Sequence, residues 1–152
     1  RKMGNKLSSE SFKMRYTKDK IKSLDQSEII VFASNLAGKH HVKSVIPEAL
    51  QFGALPGKGI GLQGNTYAIP TTCADLKSKV PLTIIRNHIA VFVDFAELNP
   101  HLKFYVTKLG CGCAGASRYD IHQIAPLFVD AVTVENIFMP KEFFDIVIAA
   151  FY

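Results

Sequence analysis

Cysteine is scarce in this chain. Cys73, Cys111 and Cys113 are the only three. An odd number cannot all pair internally, and their spacing has nothing of the even, dense framework of a small secreted disulfide protein. A reducing compartment is expected. Long apolar runs are missing as well: no stretch approaches the roughly 18 consecutive apolar residues of a membrane-crossing helix, and the lysine-rich start lacks the apolar core of a signal peptide. These shortages predict a soluble, cytoplasmic protein with no membrane partner. Internal repeats, low-complexity tracts and signs of a second domain are also lacking.

Net charge is missing from the body of the chain. The sequence as a whole carries a formal +5, which alone suggests a nucleic-acid binder. Residues 1–22, however, hold eight Lys or Arg against Glu10 and Asp19, whereas residues 23–152 hold ten against eleven acids. The excess belongs to a basic N-terminal tail, taken as residues 1–16, ahead of a single domain over 17–152. Such an arm can touch nucleic acid or an anionic surface. A solvated terminus is the plainer reading, so the tail is assigned no function and nucleic acid is not the expected partner.

What is present fits one folded unit. The chain has 152 residues, 48% of them hydrophobic, enough to bury about two thirds of the unfolded surface. Glu28 to Ala33 is an apolar, β-branched run that predicts a buried strand ending at Ser34-Asn35. Val42, Val45, Ile46, Ala49 and Leu50 give a helical pattern whose start is delayed by Pro47. Residues 53–65 read as a glycine-rich loop, and Thr66 to Ile69 as a strand closed by Pro70. Leu82, Ile85, Ile89 and Phe92 predict a helix from Pro81 to Asn99. Leu102 to Leu109 reads as a strand. Ser117 and Asp120 have the form of a capping box opening a helix through Ile121, Ile124 and Phe128, with Pro126 predicting a kink or two short helices. Val134 to Met139 is a strand candidate, and Pro140 opens a last helix. Strands alternating with helices predict an α/β fold whose ligands bind beyond the strands' carboxyl ends.

Two segments match G-x-G-x-x-G, a pattern that carries phosphate chemistry only between a strand and a helix. Gly59 to Gly64 follows a Pro56-Gly57 turn and precedes a strand, so it fails as a dinucleotide fingerprint and reads equally as a connection needing positive φ. Gly110-Cys111-Gly112-Cys113-Ala114-Gly115 has the right flanks. There glycines let the backbone approach a ligand, and exposed amides with a helix dipole favour an anion without a lysine. Glu135 lies about where a Rossmann acid would hold a ribose, although such a fingerprint usually opens its domain.

VFASNLAGKH (31–40), GIGLQGNTYAIPT (59–71), KFYVTKLGCGCAG (103–115), IAPLF (124–128) and IFMPKEF (137–143) closely resemble, in that order, a family of uncharacterised bacterial and phage-associated proteins. Its pattern is roughly VFGSN-x-x-G, G-x-GLQG-x-x-YAIPT, T-x-IGCG-x-AG and a late x-LP-x-x-F, and the resemblance covers about residues 17–146. That family is similar to a divergent branch of the macrodomain fold. The resemblance therefore implies a three-layer α/β/α sandwich with a mixed sheet, and ADP-ribose or a related nucleotide diphosphate as ligand.

Carried over position by position, the resemblance sets Asn35 near a distal ribose and Gly38 at the start of a first ligand loop. Gly110, Cys111, Gly112, Cys113, Ala114 and Gly115 become a second loop giving amides to a diphosphate. Gly61, Gln63 and Gly64 become a wall of the same cleft, and Asp19 the acid reading an adenine amino group. The chain departs from the family at Lys39, His40, His41, Val42, Lys43 and Ser44, where small residues are usual, so the first loop is bulkier and more basic. Ala33 also replaces the more usual glycine.

Chemistry beyond binding has few candidates. A thiol beside a helix N-terminus can act as a nucleophile, but Cys111 and Cys113 read first as small loop side chains. Cys111-x-Cys113 with His40 and His41 lacks zinc spacing, and no metal or cofactor is expected. His88, His101 and His122 read as surface or half-buried histidines. The resemblance implies either an ADP-ribose reader or a hydrolase using a positioned water, with Asn35 and Asp120 as catalytic candidates and His40 and His41 as further polar groups. A Rossmann-type NAD(P)-dependent oxidoreductase and a nucleic-acid module built on the basic arm are the alternatives.

Overall fold

Ile29, Ile30, Val31 and Phe32 are all buried, so successive side chains facing opposite ways both meet protein, as in a strand enclosed between two layers. They lie in β1 (Glu28–Asn35). The computed structural model describes residues 13–111 and 119–152. After β1 come α1 (Pro47–Gln51), β2 (Gly61–Gln63), β3 (Thr66–Thr72), α2 (Leu82–Leu98) and β4 (Lys103–Val106). Then follow α3 (Ile121–Ile124), a 3₁₀ helix (Ala125–Thr133), β5 (Ile137–Phe138) and α4 (Lys141–Phe151).

The five strands form one mixed sheet in the order β2-β3-β1-β4-β5. β1 pairs in parallel with β3 and β4, β5 is parallel to β4, and β2 is antiparallel to β3. From β1 the chain reaches β3 through α1, then crosses back through α2 to β4 on the other side of β1. A parallel crossover is right-handed, so reversing direction along the sheet moves the connecting helix to the opposite face. The cores agree. Val31, Ile69 and Phe104 pack with α2, the 3₁₀ helix and α4, while Phe32 and Ala68 pack with Ala49 of α1.

The expected α/β fold with a mixed sheet holds, but its outer layers are unequal. Among the described residues Phe92, Phe104, Phe128, Phe143 and Phe144 are fully buried on the α2 face, against Phe32 alone on the α1 face. At roughly 2–3 kcal/mol per buried aromatic, most of the hydrophobic stabilisation lies on the α2 side. Edge-on contacts such as Phe92 with Phe104, centroids 5.4 Å apart, add to it.

The thin face is completed by a strap over residues 13–25. Thr17 Oγ1 donates to Val106 O at 2.6 Å, Thr17 N donates to Met139 O at 2.9 Å, and the Lys18 ammonium sits 5.1 Å from the Tyr105 ring centroid. Arg15 donates from Nε to Ile137 O and from Nη2 to Val132 O and Val134 O, each at 3.0 Å. It thereby satisfies carbonyls where the 3₁₀ helix ends. Arg15 is thus tied to the body of the fold by its side chain, and Tyr16 by a bridge to Met139.

Four local expectations change. β3 runs past Pro70 to Thr72. This is tolerated because β2 stops opposite Ala68, and the β1 register shifts between Ser34 and Asn35 beside the proline. β2 forms inside the expected glycine loop. β4 ends at Val106, not Leu109, because Leu109 N turns back to Thr107 O at 2.7 Å. The N-cap of α3 is Asp120, boxed with Gln123, while the expected box residue Ser117 lies outside the described residues. Pro126 does divide the helical segment: α3 gives way to the 3₁₀ helix, which is itself non-helical at Phe128.

Candidate functional site

The connection leaving β1 leads to α1 on one face and that leaving β4 leads to α3 and the 3₁₀ helix on the other, so the two diverge. The parallel strands read 2-1-3-4 in chain order, and a crevice forms at such a switch point, here between β1 and β4. At that edge a cleft of about 940 Å³ is lined by the strap (Tyr16 to Lys22), Ile30, Ile46 and Glu48, the end of β4 (Val106 to Lys108) and the start of α4 (Pro140 to Glu142). Asp19 is on its wall. Lysines also line it, of which Lys108 pairs with Glu142 at 2.6 Å and Lys141 with Asp145 at 2.9 Å.

On the β4 side, Thr107 Oγ1 donates to Val31 O at 2.7 Å and fixes the strand end. Gly110 follows with φ +75°, and a Cβ there would stand 3.3 Å from both Thr71 Cγ2 and Ile124 Cδ1. Tyr119 N donates to Gly110 O at 2.6 Å, and Tyr119 OH to Val80 O at 2.6 Å. The chain therefore departs from and returns to one point at the carboxyl edge. Cys111 is half-buried with Sγ 3.6 Å from Leu109 O, packed against the core. Gly112, Cys113, Ala114 and Gly115 lie outside the described residues.

On the β1 side the predicted ligand residues interlock with one another. Asn35 is 1% exposed. Its Nδ2 donates to Lys39 O and its Oδ1 accepts from Lys39 N, both at 2.9 Å, so both polar atoms close the turn that follows β1. Gly38 has φ +67°, and a Cβ on it would lie 2.3 Å from the Gly57 carbonyl carbon. Gly59 presses equally close, its virtual Cβ 2.2 Å from Asn35 O, and Ser34 Oγ donates to Gly59 O at 2.5 Å.

Gln63 accepts from Leu55 N at 2.7 Å and donates to Lys58 O at 2.9 Å. His40 Nε2 meets the same Lys58 O at 2.8 Å, and its ring stands edge-on to Phe32 with centroids 5.4 Å apart. Among the described residues its Nδ1 is buried without a hydrogen-bond partner. Gly61 and Gly64 both have positive φ, the first in open space and the second with its virtual Cβ 2.8 Å from Gly53 Cα. Gly59 to Gly64 is thus a scaffold in which glycine permits close backbone approach. Gly61, Gln63 and Gly64 do not line the cleft that holds Asp19.

Asp120 has a defined job in the fold. Its Oδ1 accepts from His122 N at 2.7 Å and lies 3.0 Å from His122 Nδ1, bonds that hold its carboxyl below the usual aspartate range.

The sequence reading passed over a group at the amino end of β1. Glu28 Oε2 accepts from Tyr105 OH at 2.6 Å and from Lys18 Nζ at 3.2 Å, and Oε1 accepts from Asp25 N at 3.0 Å. The Tyr105 hydrogen bond is the main reason its carboxyl sits at about 2. The available signal was the alternation Lys18, Lys20, Lys22, which is strand-like spacing just where the tail was taken to end. Among the described residues no three His, Cys, Asp or Glu side chains gather as metal ligands, and no helix is long and apolar enough to cross a membrane.

No family model, curated protein or solved structure matches this chain.

Proposed function

We propose that the protein binds ADP-ribose or a related nucleotide diphosphate in the cleft between the strap and the end of β4. The observation that carries this reading is the position of that cleft at the end of β4, where Val106, Thr107 and Lys108 line it just ahead of the glycine-rich segment, although Gly110, Cys111 and Tyr119 themselves are not part of its lining. In this reading the backbone amides of residues 110–115 hold the diphosphate, and Asp19, exposed on the cleft wall, accepts from an adenine amino group. Resemblance to the macrodomain-like family supports the same assignment. Asn35 then acts indirectly, by fixing the turn that carries Gly38.

Binding is favoured over hydrolysis because Asn35 and Asp120 spend their side chains on a turn and a helix cap. A Rossmann oxidoreductase needs its fingerprint after the first strand, whereas here it follows β4. The scarcity of cysteine supports a cytoplasmic setting.

Thermal unfolding with ADP-ribose, NAD, ADP and AMP tests the proposal. At about 100 times Kd a ligand adds roughly 2.7 kcal/mol, which raises Tm by several degrees. A shift selective for ADP-ribose, abolished by Gly112→Glu, is expected. A flat panel refutes the ligand class, and undiminished binding by the Gly112→Glu variant refutes the loop assignment.

A further inference from the structure

Apolar side chains on the solvent side of α2 follow a second regular spacing that the core does not use. Ile84, Val91 and Leu98 are spaced seven residues apart and are 43%, 62% and 80% exposed, while Ile85, Ile89, Phe92, Val93 and Ala96 are buried against the sheet. At 3.6 residues per turn the three lie in one stripe about 20 Å long, drifting about 20° per heptad. A soluble helix has no use for such a stripe unless something covers it.

We propose that α2 pairs with α2 of a second copy of this chain, antiparallel, about a two-fold axis at Val91. The self-complementarity of the helix selects this occupant. With Val91 on the axis, Ile84 meets Leu98 of the second copy and Leu98 meets its Ile84, so each apolar side chain finds an apolar partner. On one flank Asn87 comes opposite Asp94, an amide donor facing a carboxylate. On the other His88 comes opposite Phe95. Arg86 and Glu97 stand on the far side of the helix from the stripe, so the seam buries neither. The two helix dipoles oppose each other. A parallel pairing sets Asp94 against the Phe95 ring and aligns the dipoles, and is disfavoured on both counts. The drift of the stripe matches a crossing angle near +20°. The area covered is on the order of 1,000 Å², the low end for a specific interface, so the dimer is weak, with Kd on the order of 10–100 µM.

Sedimentation analysis of the full chain from about 1 µM to 1 mM reads the outcome directly. A concentration-dependent monomer–dimer equilibrium is expected. Val91→Glu and Leu98→Glu should remove it while leaving the unfolding transition in place, because both positions are exposed. Asn87→Lys should tighten the dimer several-fold at low salt, by facing the Asp94 carboxylate, and lose that gain at high salt. A monomer at every concentration, a dimer indifferent to Val91→Glu, or an Asn87→Lys variant that associates less well overturns the proposal.

Discussion

Replacing Glu28 by glutamine should cost stability at neutral pH and much less in acid. The side chain is 11% exposed and accepts from a phenol, an ammonium and a backbone amide, which together hold the carboxyl at about 2 against an ordinary 4.5. The folded pKa is depressed, so the stabilisation is present above the unfolded value and is lost as pH falls through the folded one. At 1.36 kcal/mol per unit the full linkage is about 3 kcal/mol, and because Lys18 is half exposed, screening reduces it to about 1–2 kcal/mol at pH 7. By pH 3 about two fifths of that remains. Urea denaturation of the two proteins at several pH values yields the difference directly. It should be largest above pH 5 and shrink toward pH 2. A difference independent of pH over that range would show that glutamine disturbs packing and that ionisation of Glu28 contributes nothing.

Three further changes test single contacts. Gly38→Ala combines a left-handed backbone with a Cβ 2.3 Å from the Gly57 carbonyl carbon and should cost about 2–4 kcal/mol in denaturant unfolding, whereas a loss below about 0.5 kcal/mol would mean the two loops separate readily. Arg15→Met strips the donors from Val132, Val134 and Ile137 carbonyls; a loss of about 2–3 kcal/mol is expected, with faster amide exchange from Val134 to Met139, and unchanged exchange there would deny Arg15 its anchoring role. Asp120→Ala removes the cap of α3 and should cost about 1 kcal/mol without altering ADP-ribose affinity; a selective loss of affinity would instead make its carboxylate a ligand contact.

Much of the fold was written in hydrophobic periodicity. α2 and α4 were legible because each buries a stripe long enough to show its period, as with Ile85, Ile89, Phe92 and Ala96, and β1 because it is a continuous apolar run buried on both faces. β2 was not legible, since it is three residues long and both Ile60 just before it and Leu62 within it remain exposed. β3 outran the stop expected at Pro70 because a missing donor matters only where a neighbouring strand would receive it. The docked strap was hidden by composition. Arg15 and Lys18 count as basic-tail residues in a charge tally, yet one satisfies buried carbonyls and the other reaches a buried carboxylate, and only tertiary structure distinguishes those roles from solvation.

The two glycine motifs show why the candidate site was less legible than the fold. Glycine signals that the backbone must come close to something, and the sequence does not say whether that is a ligand or another part of the chain. At Gly38, Gly59 and Gly64 it is the chain: a Cβ at each would collide with the backbone of Gly57, Asn35 or Gly53, so these positions were satisfied on folding and leave nothing for a phosphate. At Gly110 the situation differs. The atoms nearest a Cβ there are the side chains of Thr71 and Ile124, at 3.3 Å. The positive φ of Gly110 instead turns the chain beyond the end of β4, at the point where Tyr119 returns. Gly61 of the first motif, at φ +88°, has open space around its virtual Cβ, so glycine geometry alone does not choose between the motifs, and the proposed phosphate contact rests on the place of the second motif between a strand and a helix.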